Sequence, residues 1–174
     1  MKKKIASIAF IFTVTLVQVS SASATVITTH LTNIIGNSWQ AEYVIENDSL
    51  GSPIEEFTIW FDLGLYENIS VVSTPTDWDP LVIQPDPNIP DNGFYDALAL
   101  SSGILSNSAL GGFTVAFDWL GGNSSKSQSF EIIDPLTFNT LETGNTVIAS
   151  VPEPKSIALL ALGLISLLSF RRAS

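Results

Sequence analysis

Short segments of alternating apolar and polar residues fill the middle of the chain, between two long apolar runs at its ends. The clearest alternation covers residues 39–46, 57–63 and 113–120, where Trp, Tyr, Phe, Ile or Val recurs at nearly every second position. A period of two with aromatic and β-branched residues predicts half-buried strands. Weaker patterns predict further strands at residues 26–34, 69–73, 81–84, 95–100, 129–133 and 146–149.

Turn-forming residues separate these segments, for example Asn47-Asp48, Gly111-Gly112 and Gly121-Gly122. No long amphipathic helix is predicted between the two ends. Short strands without helices predict an all-β fold, a single antiparallel β-sandwich of Ig-like or jelly-roll type. Residues 121–127 are predicted to form a hairpin loop between the strands on either side, and Trp39 and Trp119 are assigned to the core.

The N-terminal end predicts a signal peptide over residues 1–24. Lys2–Lys4 precede the apolar run Ile5–Val19, and the small residues Ala22 and Ala24 occupy the positions that signal peptidase requires. Cleavage after Ala24 would leave Thr25 as the first residue of the mature chain. The alternative is an uncleaved membrane anchor, for which the apolar run is short.

The C-terminal end predicts a membrane helix at residues 156–170. Fifteen helical residues cover about 23 Å, somewhat less than the hydrocarbon core of a bilayer. Arg171 and Arg172 would stop the helix on the cytoplasmic side. Pro152 and Pro154 keep the preceding segment extended, which suits binding by a protease. The alternative is a buried core helix, but such a helix should have one polar face, and this one is charged only at its ends.

The sequence Val151-Pro152-Glu153-Pro154, followed by the apolar helix and the two arginines, resembles the PEP-CTERM sorting signal of certain Gram-negative bacteria. The resemblance covers residues 151–174. It implies an inner-membrane intermediate whose tail is cleaved by an integral membrane exosortase, much as other temporary hydrophobic tails are removed. It also implies export to the cell surface, the outer membrane or an exopolysaccharide (biofilm) matrix. It does not imply one biochemical activity.

Removing both ends leaves residues 25–150, about 126 residues, the size of one domain. This region has no cysteine, so core packing alone must stabilise it. Of the 17 acidic residues only Glu153 lies outside it, and of the seven Lys and Arg only Lys126 lies inside, which gives a net charge near −15. Such a charge excludes nucleic acid as a partner. It also disfavours acidic polysaccharide unless divalent ions bridge the two.

Residues suited to catalysis are sparse, so we expect a protein that is not an enzyme. His30 is the single histidine, and no serine lies in a Gly-x-Ser-x-Gly sequence. Pairs of carboxylates at a glycosidase spacing will occur by chance among so many acidic residues.

A calcium site is one candidate. Asp77, Asp79, Asp86, Asn88 and Asp91 place several oxygen ligands in a turn-rich region, and Ca²⁺ prefers such ligands. The spacing differs from that of an EF-hand loop. The alternative is an ordinary solvated loop, in which Asp, Asn and Pro are expected.

A carbohydrate site is another candidate. Trp60 points away from the predicted core face of its strand, and Trp78 lies between two aspartates. Aromatic rings beside carboxylates suit sugars. The alternative is that Trp60 packs under a loop and Trp78 closes the end of the sandwich. We therefore expect a non-enzymatic surface or matrix protein, with a carbohydrate-binding module, calcium-dependent or not, as the alternative.

Overall fold

The computed structural model describes residues 24–149. The predicted signal peptide up to residue 23, the Pro-Glu-Pro segment and the predicted helix at 156–170 lie outside the described residues. Within residues 24–149, no helix is long and apolar enough to cross a bilayer.

Ten strands make up the described region, and all nine predicted strands are among them. Their bounds are β1 Val26–Ile35, β2 Ser38–Asn47, β3 Glu56–Phe61, β4 Tyr66–Ser73, β5 Trp78–Ile83, β6 Gly93–Ala99, β7 Ser108–Trp119, β8 Ser129–Asp134, β9 Asn139–Asn145 and β10 Val147–Ile148.

The strands form two five-stranded sheets. Sheet 1 has the order β10-β1-β2-β7-β4, and sheet 2 has the order β5-β6-β3-β8-β9. Neighbouring strands are antiparallel except β1 and β10, which run parallel. The predicted all-β sandwich is confirmed.

The alternating residues of the sequence form the core between the sheets. Ala41, Tyr43 and Ile45 of β2 are fully buried, and the alternate positions of β3 and β7 are buried with them. Phe57 of sheet 2 meets Phe113 of sheet 1 edge to face, with ring centroids 5.0 Å apart. Aromatic contacts between facing strands therefore hold the two sheets together.

Among residues 24–149, every buried side chain lies between Thr25 and Thr146. The chain closes on itself at the edge of sheet 1, where β10 pairs with β1 and the amide of Ala149 donates to the carbonyl of Thr29 at 2.9 Å. We therefore expect residues 25–149 to fold without the segments on either side.

The predicted hairpin at residues 121–127 is wrong. β7 belongs to sheet 1 and β8 to sheet 2, so this loop crosses from one sheet to the other. Its shape is fixed by the core: Trp119 Nε1 donates to the carbonyl of Gly122 at 2.9 Å, and the Tyr66 hydroxyl donates to the carbonyl of Lys126 at 3.2 Å. A loop's length does not tell which sheet the next strand joins.

Strand β9 was not predicted. Its sequence contains Asn, Thr and Gly without clear alternation, so it has little strand signal of its own. It forms because a tight turn returns the chain along β8. The Asp134 carboxylate accepts hydrogen bonds from the Leu136 amide and the Thr137 hydroxyl at 2.9 and 2.8 Å, and Phe138 adopts a φ of 56°.

Candidate functional site

The outer face of sheet 2 carries a shallow groove of about 290 Å³. Four adjacent strands contribute to it. On β3, the groove residues alternate with the core positions, so the same pattern that builds the core places them on the outer face, where Glu56 and Trp60 are partly exposed and Thr58 is buried. The lining residues are Glu56, Thr58 and Trp60 of β3, Leu81 of β5, Phe94 and Asp96 of β6, and Ile133 of β8.

Two aromatic rings form one part of the groove. Trp60 and Phe94 face each other across the β3–β6 pair, with ring centroids 5.5 Å apart and planes at 66°. Leu81 on the neighbouring strand is 51% exposed. These three side chains form a partly exposed apolar surface on the outer face of sheet 2.

The carboxylates of Glu56 and Asp96 lie in the same groove as this apolar surface. The Thr58 hydroxyl donates to Asp96 Oδ1 at 2.6 Å, which fixes that carboxylate in the groove. Burial raises the pKa of Asp96, although the Thr58 hydrogen bond works against it. Burial also raises the pKa of Glu56, and the nearby Asp96 adds to this effect. The groove thus combines aromatic surface with oxygen atoms that accept hydrogen bonds.

Trp78 does not take part in this groove. It is 6% exposed and packs between Phe57 and Phe113, with ring centroids 5.7 and 5.1 Å away. The structure therefore does not bring the two candidate carbohydrate residues Trp60 and Trp78 together, and Trp78 is a packing residue. Phe94 takes its place beside Trp60. Its alternation with buried Tyr95 was the available signal, but the predicted strand began at Tyr95, two residues after the observed start at Gly93, and so left Phe94 out.

The predicted calcium ligands do not converge on one ion. Asp77 and Asp79 lie at the start of β5, and Asp86, Asn88 and Asp91 lie beyond its end. Six strand residues span about 20 Å, far more than the distance between two ligands of one ion. No three Asp, Glu or His side chains within residues 24–149 are grouped as a metal site would need.

The loop after β5 is organised by its own hydrogen bonds. The backbones of Asp86 and Asp91 pair in both directions at 3.2 and 3.3 Å, and the amide of Asn88 donates to Asp86 Oδ1 at 2.8 Å. Calcium binding by the residues of this loop, without Asp77 and Asp79, stays a prediction.

The described region contains one lysine, Lys126, and one histidine, His30, and neither lines the groove. Lys126 Nζ lies 4.1 Å from the ring centroid of Trp39 and 4.9 Å from that of Trp119. Trp119 is buried, as predicted, and Trp39 is half-buried against the core. His30 is exposed on β1, opposite Glu42 of β2.

Thr25, the predicted first residue of the mature chain, is buried against β9, the edge strand of sheet 2. Its backbone nitrogen donates to Glu142 Oε1 at 3.0 Å, and its hydroxyl donates to Glu142 Oε2 at 2.7 Å. The Ser49 hydroxyl donates to the same Oε2 atom at 2.6 Å. The other predicted processing and membrane-stop residues, Ala22, Val151, Pro152, Glu153, Pro154, Arg171 and Arg172, lie outside the described residues.

No curated protein sequence matches this chain. Among solved structures, it is similar to a chitin-binding domain from Streptomyces coelicolor, at 14% identity and a TM-score of 0.41 over 62% of this chain and 90% of that one. It is also similar to a cohesin module of a Clostridium perfringens family 33 glycoside hydrolase, at 14% identity and a TM-score of 0.38 over 72% and 98% of the two chains.

A third similar structure is a family 3b carbohydrate-binding module from Clostridium clariflavum, at 14% identity and a TM-score of 0.37 over 63% and 93% of the two chains. These similarities are too remote to assign a ligand. The sequence motif at the C-terminus is more specific. Residues 150–173 match the family model described as the PEP-CTERM protein-sorting motif, which confirms the sorting signal predicted from Pro-Glu-Pro, the apolar run and the two arginines.

Proposed function

We propose that this protein is an exported, non-enzymatic component of the cell surface or the exopolysaccharide matrix. Signal peptidase would remove residues 1–24, and an exosortase would cleave the C-terminal tail at the inner membrane. The match of residues 150–173 to the sorting motif carries the proposal, because that motif implies exosortase-dependent export. A compact acidic sandwich without cysteine suits cargo that must stay soluble outside the cell.

Mass spectrometry of the exported protein tests the processing. In a host that contains an exosortase, we expect a chain that starts at Thr25 and ends close to Pro152–Pro154. Replacing Glu153 with Gln should leave the tail attached while the N-terminus is still processed. Ser156→Ala, outside the Pro-Glu-Pro segment, is the matched control and should be cleaved normally. Intact Ser174 on released wild-type protein would contradict the proposal.

A second function is supported by the groove on sheet 2, which we propose binds a carbohydrate. The rings of Trp60 and Phe94 offer apolar surface to the CH groups of a sugar, and Asp96 and Glu56 offer acceptors to its hydroxyl groups. The strongly acidic domain favours neutral or cationic glycans over acidic ones.

Trp60→Ala is expected to weaken glycan binding at least tenfold. An aromatic side chain buries about 150–250 Å² when fully covered, so covering one face is worth roughly 2–3 kcal/mol, and ~1.4 kcal/mol corresponds to tenfold in affinity. The measurement is a glycan array followed by calorimetry on residues 25–149, with calcium and with a chelator.

Phe138→Ala is the control for this experiment. Phe138 is an aromatic residue that is 80% exposed at the β8–β9 turn and does not line the groove. Its replacement should leave glycan binding unchanged. The groove proposal fails if the wild-type domain binds no glycan, or if both substitutions weaken binding equally. If glycan binding persists in the presence of a chelator, the binding does not depend on calcium.

A further inference from the structure

The contact between Thr25 and Glu142 joins the two sheets at the predicted processing point. Thr25 directly precedes β1 of sheet 1, and Glu142 belongs to β9 at the edge of sheet 2. The two residues are 117 positions apart, and Thr25 is 5% exposed. Both oxygens of the Glu142 carboxylate are used, one by the Thr25 nitrogen and the other by the hydroxyls of Thr25 and Ser49.

Cleavage changes the chemistry of one atom in this contact. In the unprocessed chain the Thr25 nitrogen is a neutral amide with one hydrogen to donate. After cleavage of the Ala24–Thr25 bond the same nitrogen becomes an α-ammonium group with three hydrogens and a positive charge. It would then lie 3.0 Å from a carboxylate oxygen, which is the distance of a charge-assisted hydrogen bond.

We propose that the Glu142 carboxylate, positioned by the Ser49 hydroxyl, is a binding site for the new α-ammonium group, so that removal of the signal peptide strengthens the closure between β1 and β9. The inference rests on the proposed cleavage after Ala24. Capture of a terminal amine by oriented acceptors is a known mode of recognition. Because Thr25 is buried in the folded sandwich, cleavage must occur before its side chain docks against β9.

The other carboxylates on the elements beside the contact are Glu46 of β2, whose backbone pairs with Val26, and Asp48 beside Ser49. Glu131 of β8 pairs with Thr58 of the groove and lies on the opposite face of sheet 2 from Glu142, which pairs with the buried Ile132. Partial burial acts to raise the pKa of Glu142, but the hydrogen bonds from Ser49 and Thr25 outweigh it, so this pKa is lowered.

The sign of the pH dependence follows from the two partners. A carboxylate with a lowered pKa stabilises the fold above its unfolded pKa, and that contribution is lost as the pH falls through the folded pKa. The paired ammonium should have a raised pKa, so its contribution is lost as the pH rises through that value. The added stability should therefore be largest between about pH 5 and pH 7 and should vanish above about pH 10.

The experiment compares residues 25–149 with a free Thr25 amine and with an acetylated one. Acetylation retains an N–H but removes the charge. The folding equilibrium constant at pH 6 should be about two- to fivefold larger for the free amine, as for other partly exposed ion pairs. An NMR titration should place the pKa of the Thr25 amine above the ordinary range of roughly 7.7–8.0.

Two substitutions separate the charge effect from general stability. In Glu142→Gln, which retains the shape of the side chain, the difference between free and acetylated chains should disappear and the amine pKa should return to its ordinary range. Glu131→Gln is the matched control and should leave both unchanged. Equal stability of the two wild-type forms, or the same difference in Glu142→Gln, overturns the inference. A mature N-terminus other than Thr25 in the exported protein would refute the cleavage instead.

Discussion

Replacing Phe57 with Ala is expected to lower the free energy of unfolding by about 3–5 kcal/mol, the usual cost of truncating a buried aromatic residue. Phe57 is fully buried at the centre of the sandwich. Its ring contacts Trp78, Tyr95 and Phe113, with centroids 5.7, 6.1 and 5.0 Å away, so the substitution removes packing within sheet 2 and between the sheets.

The loss is large for a domain of this kind. Domains are usually stable by about 5–15 kcal/mol, and no disulfide supports this one because the chain contains no cysteine. Urea unfolding of residues 25–149, followed by tryptophan fluorescence, gives the measurement. Phe138→Ala, which removes an 80% exposed ring, should change stability by less than ~0.5 kcal/mol. Similar losses in the two variants would show that the sheets are not packed through Phe57.

Gly103→Ala is expected to cost at least about 2 kcal/mol, from strain at a left-handed backbone conformation and from a steric clash. Gly103 has a φ of 65°, and an added Cβ would lie 2.3 Å from the carbonyl oxygen of Ile54. That carbonyl accepts the Ile104 amide at 2.9 Å, and the Ile54 amide donates back at the same distance. The backbone at this bridge cannot move aside without breaking these hydrogen bonds.

Gly36→Ala is the matched control for the clash. Gly36 has a similar φ of 56°, but an added Cβ would meet no atom within 4 Å. Both variants therefore carry the conformational strain, and only Gly103→Ala adds the collision. Thermal and urea unfolding should show that Gly103→Ala is the less stable of the two by at least ~1 kcal/mol. If the two variants are equally stable, the contact at Ile54 is not a tight one.

The strands could be read from the sequence because half-buried strands impose a period of two. Alternation on β2, β3 and β7 is clear, since one face of each meets the core and the other meets solvent. The same reasoning placed Trp60 on the outer face. Strand β9 escaped prediction because its pairing with β8, and not its own residues, makes it a strand.

The neighbours of each strand could not be read in the same way. Periodicity gives the face of a residue but not the strand beside it, so the partnership of Trp60 with Phe94 follows only from the register of β3 against β6. The sequence left two alternatives open for Trp78, because Asp77 and Asp79 flank it and local polarity suggests exposure. The contact of Thr25 with Glu142 joins residues 117 positions apart, and no local pattern marks it.

The parallel pairing of β1 and β10 has a consequence for how the exported domain would be tethered. β10 lies alongside the first half of β1 and places Ala149 level with His30, so Ala149 is only about 17 Å along the strand direction from Thr25, the rise of five strand residues. The polypeptide segments attached before Thr25 and after Ala149 would therefore both join the sandwich at the β1–β10 edge of sheet 1. The outer faces of both sheets, including the groove beside Trp60, would remain accessible whichever of the two segments was cleaved first.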